Sequence, residues 1–567
     1  MCIKDNRPFG VVDDEGLREF AWELNPLFKF PSRWTVARDC LSIYKKEAKR
    51  LKDLLKGQTV SLTIDTWSSV DDDWILRKKI LNFCPIANHR VDTIGKLVYF
   101  CIQKWGIEKV FTVMVDNASS NDSVIRYLKT MLRGPNDVLD CKYSHLRCCA
   151  HIINLVVRDG LEAQCGLISR IRNAVRYSSF KECVDRVQIK RNRKPCLDVD
   201  TRWNSTFFML ETAVKYEDAF DRLFDIDSNY ISYLQDEAED DSEGSTRKQK
   251  RSGATNGAPT SQDWEKDMNF VEYLRIFSEV TTKFSGSKYV TSNLFFSELV
   301  TMQATITRMC HSIDGEKQKM AKSMKLKYDK YWDNIENMNL LLYVVVALDP
   351  HNKHLLCRND IWHRENKTDY QRSVSLVILD KVKKTLEDFF EHYQKKAEMR
   401  KEKRSVGSTS SNGMPSALGD TRINLEHGFD IYDDEEEDCK SELEVYLADG
   451  KEKRDERFDI LGWWKENSTK FPILSQLARH VLAMPISTVA SESAFSTGGR
   501  VIDKYRSSLN PKTAEALICT QDWIRSSLVD IELLDMSIAS IEELNENLKN
   551  IELDELPNVK DTSNVED

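Results

Sequence analysis

No run of about eighteen apolar residues occurs anywhere in this chain of 567 residues, so no segment reads as a membrane-spanning helix. The opening stretch, MCIKDNRPFGVVDDEG, has neither a basic nor an apolar run, which argues against a secretory leader. Dense cysteine spacing is missing too. The fourteen cysteines are scattered, which favours reduced thiols in cytosol or nucleus over a secreted disulfide scaffold. Nor is there a positive balance: a formal charge of −9 excludes a uniformly basic coat for nucleic acid. The chain is too long for one core, so roughly two to four domains, or a core with a large insertion, are expected.

Charge is instead local. Asp236 to Glu243, Asp433 to Asp438 and the tail from Glu542 to Asp567 are acidic, whereas Lys190 to Lys194 (KRNRK), Arg247 to Arg251 (RKQKR) and Lys395 to Arg404 are basic. Such patches can hold phosphates, and the first two basic runs also fit nuclear-import signals. Asp236 to Gln262 and Lys401 to Asp420 are rich in Ser, Gly, Asn and charge, and read as flexible loops.

Between the loops, Val60 to Trp67 (VSLTIDTW) alternates β-formers, Trp74 to Cys84 is a second strand-like run, and Lys109 to Asp116 (KVFTVMVD) is a near-continuous apolar strand. Val91 to Trp105 has helical spacing, as do Asp263 to Asp349 and Val374 to Glu398, with Leu340 to Leu348 as the most buried part. A small sheet with helices is therefore followed by a large helical block.

Asp65 and Asp116 fall at strand ends, and Glu492 falls near a helix start after several hydroxyl caps. Carboxylates from different elements are what two-metal phosphoryl transfer needs, because they must converge on two Mg²⁺ ions about 3.5 to 4 Å apart. The same residues also suit turns and a first-turn cap. Cys141, His145, Cys148, Cys149 and His151 crowd together more ligands than one tetrahedral ion can use, and the apolar IINLVV that follows turns several into the core. No metal is assigned to them.

The densest signal lies further on. It comprises FDILGWW at Phe458 to Trp464, FPILSQLARHVLAMPISTVASESAFSTGGRV at Phe471 to Val501, and YRSSLNPKTAEALICTQDW ending at Trp523. Leu474, Leu477, Ala478, Val481 and Leu482 recur at helical spacing, and Pro485 ends that helix. Trp463, Trp464 and Trp523 are large apolar surfaces in a charged neighbourhood, suited to core or subunit contact.

This region resembles the C-terminal dimerisation region of hAT-family transposases, in particular the domesticated plant Ricesleeper and Daysleeper group. LTIDTWSS, VDNASSND and SESAF are similar to the family's three acidic motifs, which implies Asp65, Asp116 and Glu492 as a catalytic triad. Cys148 and His151 match its CxxH element. Arg202 and Trp203 match an Arg-Trp motif associated with bases near a cleaved end, where aromatic stacking is worth about 1 to 3 kcal/mol. The implied fold is α/β plus α: a ribonuclease H-like fold interrupted by a large all-α insertion, with a C-terminal helical dimerisation region.

Two departures shape the expectation. Trp67 is followed almost at once by Asp71, Asp72, Asp73 and Trp74, so the sheet is expected to lack its second strand and leave Asp65 poorly supported. No zinc-finger pattern precedes Phe30, so the family's BED finger is expected to be absent.

The expected organisation is an N-terminal helical segment (1–55), the first part of the ribonuclease H-like domain (56–200), and a helical insertion (201–440) with disordered loops near 236–262 and 401–440. The dimerisation region (441–530) and an acidic tail (531–567) follow. The expected function is a nuclear, transposase-derived protein that dimerises and binds DNA without transposing it, with a possible role in gene regulation. The alternative is an active transposase. DNA contacts are expected from Lys190, Arg191, Arg193, Lys194, Arg202 and Trp203, and dimer contacts from Trp463, Trp464, Leu474, Leu477, Val481 and Trp523. The partners are DNA and a homodimer or higher homo-oligomer, with no membrane. No cofactor is expected unless the chain is catalytic, in which case Mg²⁺ is.

Overall fold

The computed structural model describes residues 2–63, 66–84, 91–134, 137–176, 178–187, 194–199, 202–227, 230, 259, 261–333, 339–356, 369–406, 441–453, 455, 457–489, 501 and 509–532. Asp65, Glu492, Lys190, Arg191 and Arg193 lie outside these, as do residues 236–258 and 260 of the expected loop near 236–262 and residues 407–440 of the one near 401–440, while Ser261 and Gln262 are helical. The chain divides into two units, residues 48–515 and residues 1–47 with 516–567.

In the larger unit, five strands form one sheet: β1 (Thr59–Thr63), β2 (Thr66–Val70), β3 (Leu76–Ile80), β4 (Lys109–Val115) and β5 (His145–Arg147). Their order is β3-β2-β1-β4-β5. β1 and β2 pair antiparallel, with Ser61 opposite Ser68 and Leu62 opposite Trp67, and β2 and β3 pair antiparallel over five positions from Thr66–Ile80 to Val70–Leu76. β4 runs parallel to β1 on one side and to β5 on the other.

The expected loss of the second strand is thus overturned. The run read as one strand, Val60 to Trp67, contains β1, a two-residue connection and the start of β2. The connection is braced by Thr63, whose hydroxyl accepts from the Thr66 backbone N–H at 3.1 Å. Every residue of β2 is buried, as expected of a strand covered on both faces.

The helices follow the apolar spacing closely. They are α1 (Glu15–Leu24), α2 (Arg33–Leu55), α3 (Val91–Trp105), α4 (Ser119–Leu132), α5 (Cys149–Leu161), α6 (Cys165–Arg176), α7 (Phe180–Val187), α8 (Trp203–Ala213) and α9 (Glu217–Ile226). After these come α10 (Ser261–Phe284), α11 (Phe295–Cys310), α12 (Gly315–Trp332), α13 (Leu341–Ala347) and α14 (Asp369–Val406). The C-terminal part adds α15 (Glu442–Ala448), α16 (Ile460–Glu466), α17 (Pro472–Leu482) and α18 (Pro511–Glu532). α13 is buried at every residue and packs on α14 and α17. α14 continues to Val406, so Lys401 to Val406 are helical rather than part of a loop.

α17 lies against β1 and β2, so the C-terminal region completes the same core as the sheet. Pro472 occupies its first turn, where a missing N–H removes no intrahelical bond, and Glu442 accepts from the free Ile473 and Leu474 N–H groups at 2.7 to 3.1 Å. The expected dimer anchors are inside this core. Trp464, Leu474, Leu477 and Val481 are each 0% exposed. The Trp464 indole donates to the Leu348 carbonyl at 2.9 Å and packs with Tyr446 and Phe471. Trp463 is half-buried and donates to Glu452 at 3.1 Å. Trp464, Leu474, Leu477 and Val481 thus hold the chain together and are not available to a partner, whereas Trp463 keeps part of its surface exposed.

Trp464→Ala should therefore destabilise the larger unit by about 3 to 5 kcal/mol, because it opens a large cavity and orphans a buried carbonyl. Chemical unfolding measures the loss. A stable variant that dissociates instead would restore the interface reading.

In the smaller unit, Trp523 is buried and stacks on Tyr44 at 5.3 Å, so it too is an internal contact. Gln521 and Arg525 both donate to the Lys4 carbonyl at 2.9 Å, tying α18 to the N-terminal residues. α1 buries none of its residues. Phe20, Trp22, Leu24, Leu27, Phe28 and Trp34 are all exposed, Leu27 by 88% and Trp34 by 79%.

Candidate functional site: the strand ends of the sheet

β1 and β4 are parallel neighbours with Thr63 opposite Met114, so the chain leaves both strands at the same edge of the sheet. Asp116 is the first residue beyond β4. Its Oδ1 accepts from the Ala118 N–H at 2.9 Å and from the Asn121 amide at 2.5 Å, which ties the carboxylate to the start of α4. Asn121 is itself buried. One carboxylate oxygen is thereby fixed, and no described residue donates to Oδ2.

The CxxH element sits directly beside it. The Cys148 N–H donates to the Val115 carbonyl at 3.0 Å, and the Asn117 amide donates to the Cys148 carbonyl at 3.5 Å. Cys148 caps α5: its Sγ accepts from the His151 N–H at 3.4 Å. The same sulfur accepts from the N–H and hydroxyl of Thr488 at 3.3 and 3.2 Å, while the Cys149 N–H donates to the Ile486 carbonyl at 2.9 Å. One buried thiol thus joins the end of β4 to the stretch that leads toward residue 492. Among the described residues, His151 contributes its backbone N–H and no bond from its ring.

Sequence reasoning singled out Cys148 and read Thr488 only as a hydroxyl cap, and it missed Asn121 and Ile486. The Asp116–Asn121 spacing was visible, whereas the contact between residues 148 and 488 carries no local signal.

The thiol and imidazole cluster around Cys148 is mostly core. Cys141, Cys148 and Cys149 are buried, and burial raises the Cys149 thiol well above its ordinary range. Burial also lowers the His145 imidazole to about 4. Among the described residues, no three His, Cys, Asp or Glu side chains are grouped to hold a metal ion.

The remaining candidates separate in space. Trp203 is 4% exposed and packs beside Phe207, so it is a core aromatic and cannot stack on a base where it stands. Its neighbour Arg202 precedes α8 and is exposed. The approach to Arg202 is held by Asp198, which accepts from Arg172 at 2.7 and 2.5 Å and from Thr206 at 2.5 Å. Burial alone would raise the Asp198 carboxyl, but these bonds outweigh it and hold it below the usual range. Lys194 is exposed and pairs with Asp185.

Comparison with known proteins extends this picture. Residues 442–524 match the hAT family C-terminal dimerisation region, and residues 293–393 match the hAT-like transposase, RNase-H fold. Residues 61–143 and 146–247 match the ZBED1 RNase-like domain and its RNase-like helical domain. The chain is 30% identical to the Putative AC transposase of Zea mays over 95% of its own length and 67% of that protein. It is 29% identical to Zinc finger BED domain-containing protein RICESLEEPER 2 of Oryza sativa subsp. japonica, across 93% and 73% of the two chains. The corresponding figures for DAYSLEEPER of Arabidopsis thaliana are 26%, 93% and 73%. The chain thus spans about two thirds of the length of the maize relative. No helix among the described residues is long and apolar enough to cross a membrane.

Proposed function

Because this chain belongs to the hAT transposase family, we propose that it is a transposase-derived protein that works in the nucleus, dimerises, and binds DNA at the strand-end edge of its sheet, with a role in gene regulation. The observation that carries this reading is the convergence of three chain segments at that edge. The end of β1, the end of β4 and the 486–489 stretch are brought together there, the last two through Cys148. DNA contacts come from the basic run at 190–194 and from exposed Arg202, and are made to phosphates.

Dimerisation uses a second copy of the chain on the exposed apolar face of α1 and the segment after it. That face belongs to the same unit as residues 516–524, the end of the region matching the family's dimerisation region. Six exposed large side chains in so short a stretch exceed what a monomer surface usually carries. Light scattering should give twice the chain mass, and replacing Leu27 and Trp34 by Ser should give the monomer. Duplex affinity, followed by fluorescence anisotropy, should fall roughly 100-fold between about 50 and about 200 mM salt if four phosphates are neutralised. Salt-independent binding would overturn the DNA reading.

A second reading is favoured by the intact sheet: the chain also cuts DNA. The argument for inactivity rested on an absent neighbour for β1, and β2 is that neighbour. Asp116 suits a hard divalent cation, with one oxygen fixed and the other without a described donor, and residues 65 and 492 would complete the set. When bound, Mg²⁺ would activate the attacking oxygen and stabilise the leaving one. The protein's own part is to hold Asp116 rigid through Asn121 and to anchor the approach to residue 492 through Cys148.

A further inference from the structure

Two thiols of the larger unit stand against each other away from the strand-end edge. Cys84 lies just beyond β3, and Cys101 lies near the end of α3. Cys84 is exposed and Cys101 is half-buried. The Cys101 thiol donates to the Cys84 sulfur, and the Asn82 amide donates to it as well. Asn82 is fixed in turn, because the indole of buried Trp105 donates to its Oδ1 at 3.4 Å. The stretch that carries Cys84 is thereby held on the last turn of α3, beside its thiol partner.

Two charges flank the pair. Lys104 pairs with Glu515 at 3.7 Å, and Glu515 also accepts from the Phe83 N–H. Lys104 favours a thiolate at Cys84 and Glu515 opposes it, so the hydrogen bonds decide the balance. The bond from Cys101, aided by the one from Asn82, brings the Cys84 thiol down to about 6 against the effect of burial. Cys101, which gives its hydrogen to that bond and is sheltered from water, is pushed above its ordinary range. Cys84 is therefore an accessible thiolate at neutral pH, and Cys101 is the protonated thiol waiting next to it. Low acidity constant, exposure and an adjacent second thiol are what a peroxide-reactive cysteine needs.

We propose that Cys84 and Cys101 form a reversible oxidation site, in which a hydroperoxide oxidises Cys84 and Cys101 closes a disulfide with it. The Cys84 thiolate attacks the O–O bond of hydrogen peroxide and keeps one oxygen as a sulfenic acid, while the other leaves as hydroxide and is protonated to water. The Cys101 sulfur then attacks the Cys84 sulfur. The S–S bond forms, the S–O bond breaks, and the Cys101 proton leaves with the oxygen as a second water. A dithiol reductant reverses the bridge by exchange. In the oxidised form the exit from β3 is tied covalently to α3.

The test treats the full chain with hydrogen peroxide, alkylates the remaining thiols, digests without reduction and reads the peptides by mass spectrometry. A linked pair containing Cys84 and Cys101 should appear, and dithiothreitol should remove it. Cys196, the other exposed cysteine among the described residues, should stay out of the bridge. The rate of bridging should rise up to about pH 6 and level off above it, whereas attack by a free cysteine keeps rising to about pH 8.5. In Cys101→Ser the reaction should stop at the Cys84 sulfenic acid, which dimedone labels. In Cys84→Ser both the bridge and any dimedone label at residue 101 should be lost. Bridges scattered over other cysteines, or Cys84 oxidised further while Cys101 stays free, would overturn the proposal. A rate that keeps climbing to about pH 8.5 would overturn Cys84 as the attacking sulfur. The wild-type arm needs no substitution, so it decides the site even where a variant folds poorly.

Discussion

Asp267→Asn should stabilise the larger unit by on the order of 4 kcal/mol at neutral pH, and by progressively less as the pH is lowered toward about 4. Asp267 lies in α10 and is 1% exposed, with both carboxylate oxygens lacking a partner among the described residues. Burial pushes its carboxyl up to about 8. The unfolded chain releases this proton near pH 4, whereas the folded chain keeps it until about pH 8. Between those limits the unfolded state binds fewer protons, so stability falls as pH rises, by about 1.4 kcal/mol per unit, and levels off above the folded value. Asn has nearly the same shape and cannot ionise, so the pH dependence of the difference isolates the ionisation. Urea unfolding of both proteins across this range reads the difference directly. A gap between them that does not change with pH would show that the Asp267 carboxyl has an ordinary acidity and a partner.

The second large effect concerns the candidate catalytic edge. Incubated with Mn²⁺ or Mg²⁺ and end-labelled duplexes carrying terminal inverted repeats of related elements, the chain is expected to nick DNA. Asp116→Asn should lower the rate by roughly 10²-fold to 10³-fold or more. The amide keeps an acceptor for the Ala118 N–H, so the start of α4 should survive while the negative charge is lost. Asn121→Ala should act more weakly, by roughly tenfold to 100-fold, because it loosens the carboxylate without removing it. Nicking that survives Asp116→Asn would come from a contaminating nuclease. A wild-type chain with no activity would leave the DNA-binding dimer as the whole function.

Much of this architecture was legible from local pattern. The helix Val91–Trp105 and the buried run Leu341–Ala347 match their periodicities because an amphipathic or wholly apolar repeat needs a packed partner wherever it lies. β2 was not legible. VSLTIDTWSSV has β-formers on both sides of a two-residue connection that contains no Gly, Pro or Asn, so Asp65 alone punctuates the alternation, too weakly to mark a hairpin. β5, three residues long, is too short for any period to register.

Composition and periodicity by themselves determined the sheet-then-helices order and the length of the helical block, and the resemblance to the hAT family marked the acidic and CxxH motifs. They could not determine which apolar surfaces face inward, since a buried Trp and an interfacial Trp are selected by the same loss of contact with water. Only the tertiary structure decided that Trp464, Leu474 and Trp523 are core and that the exposed apolar face belongs to Phe20 through Trp34. It alone decided that Cys148 is a capping sulfur shared with Thr488. That contact joins residues hundreds of positions apart, and a sequence pattern records spacing along the chain, not proximity across it.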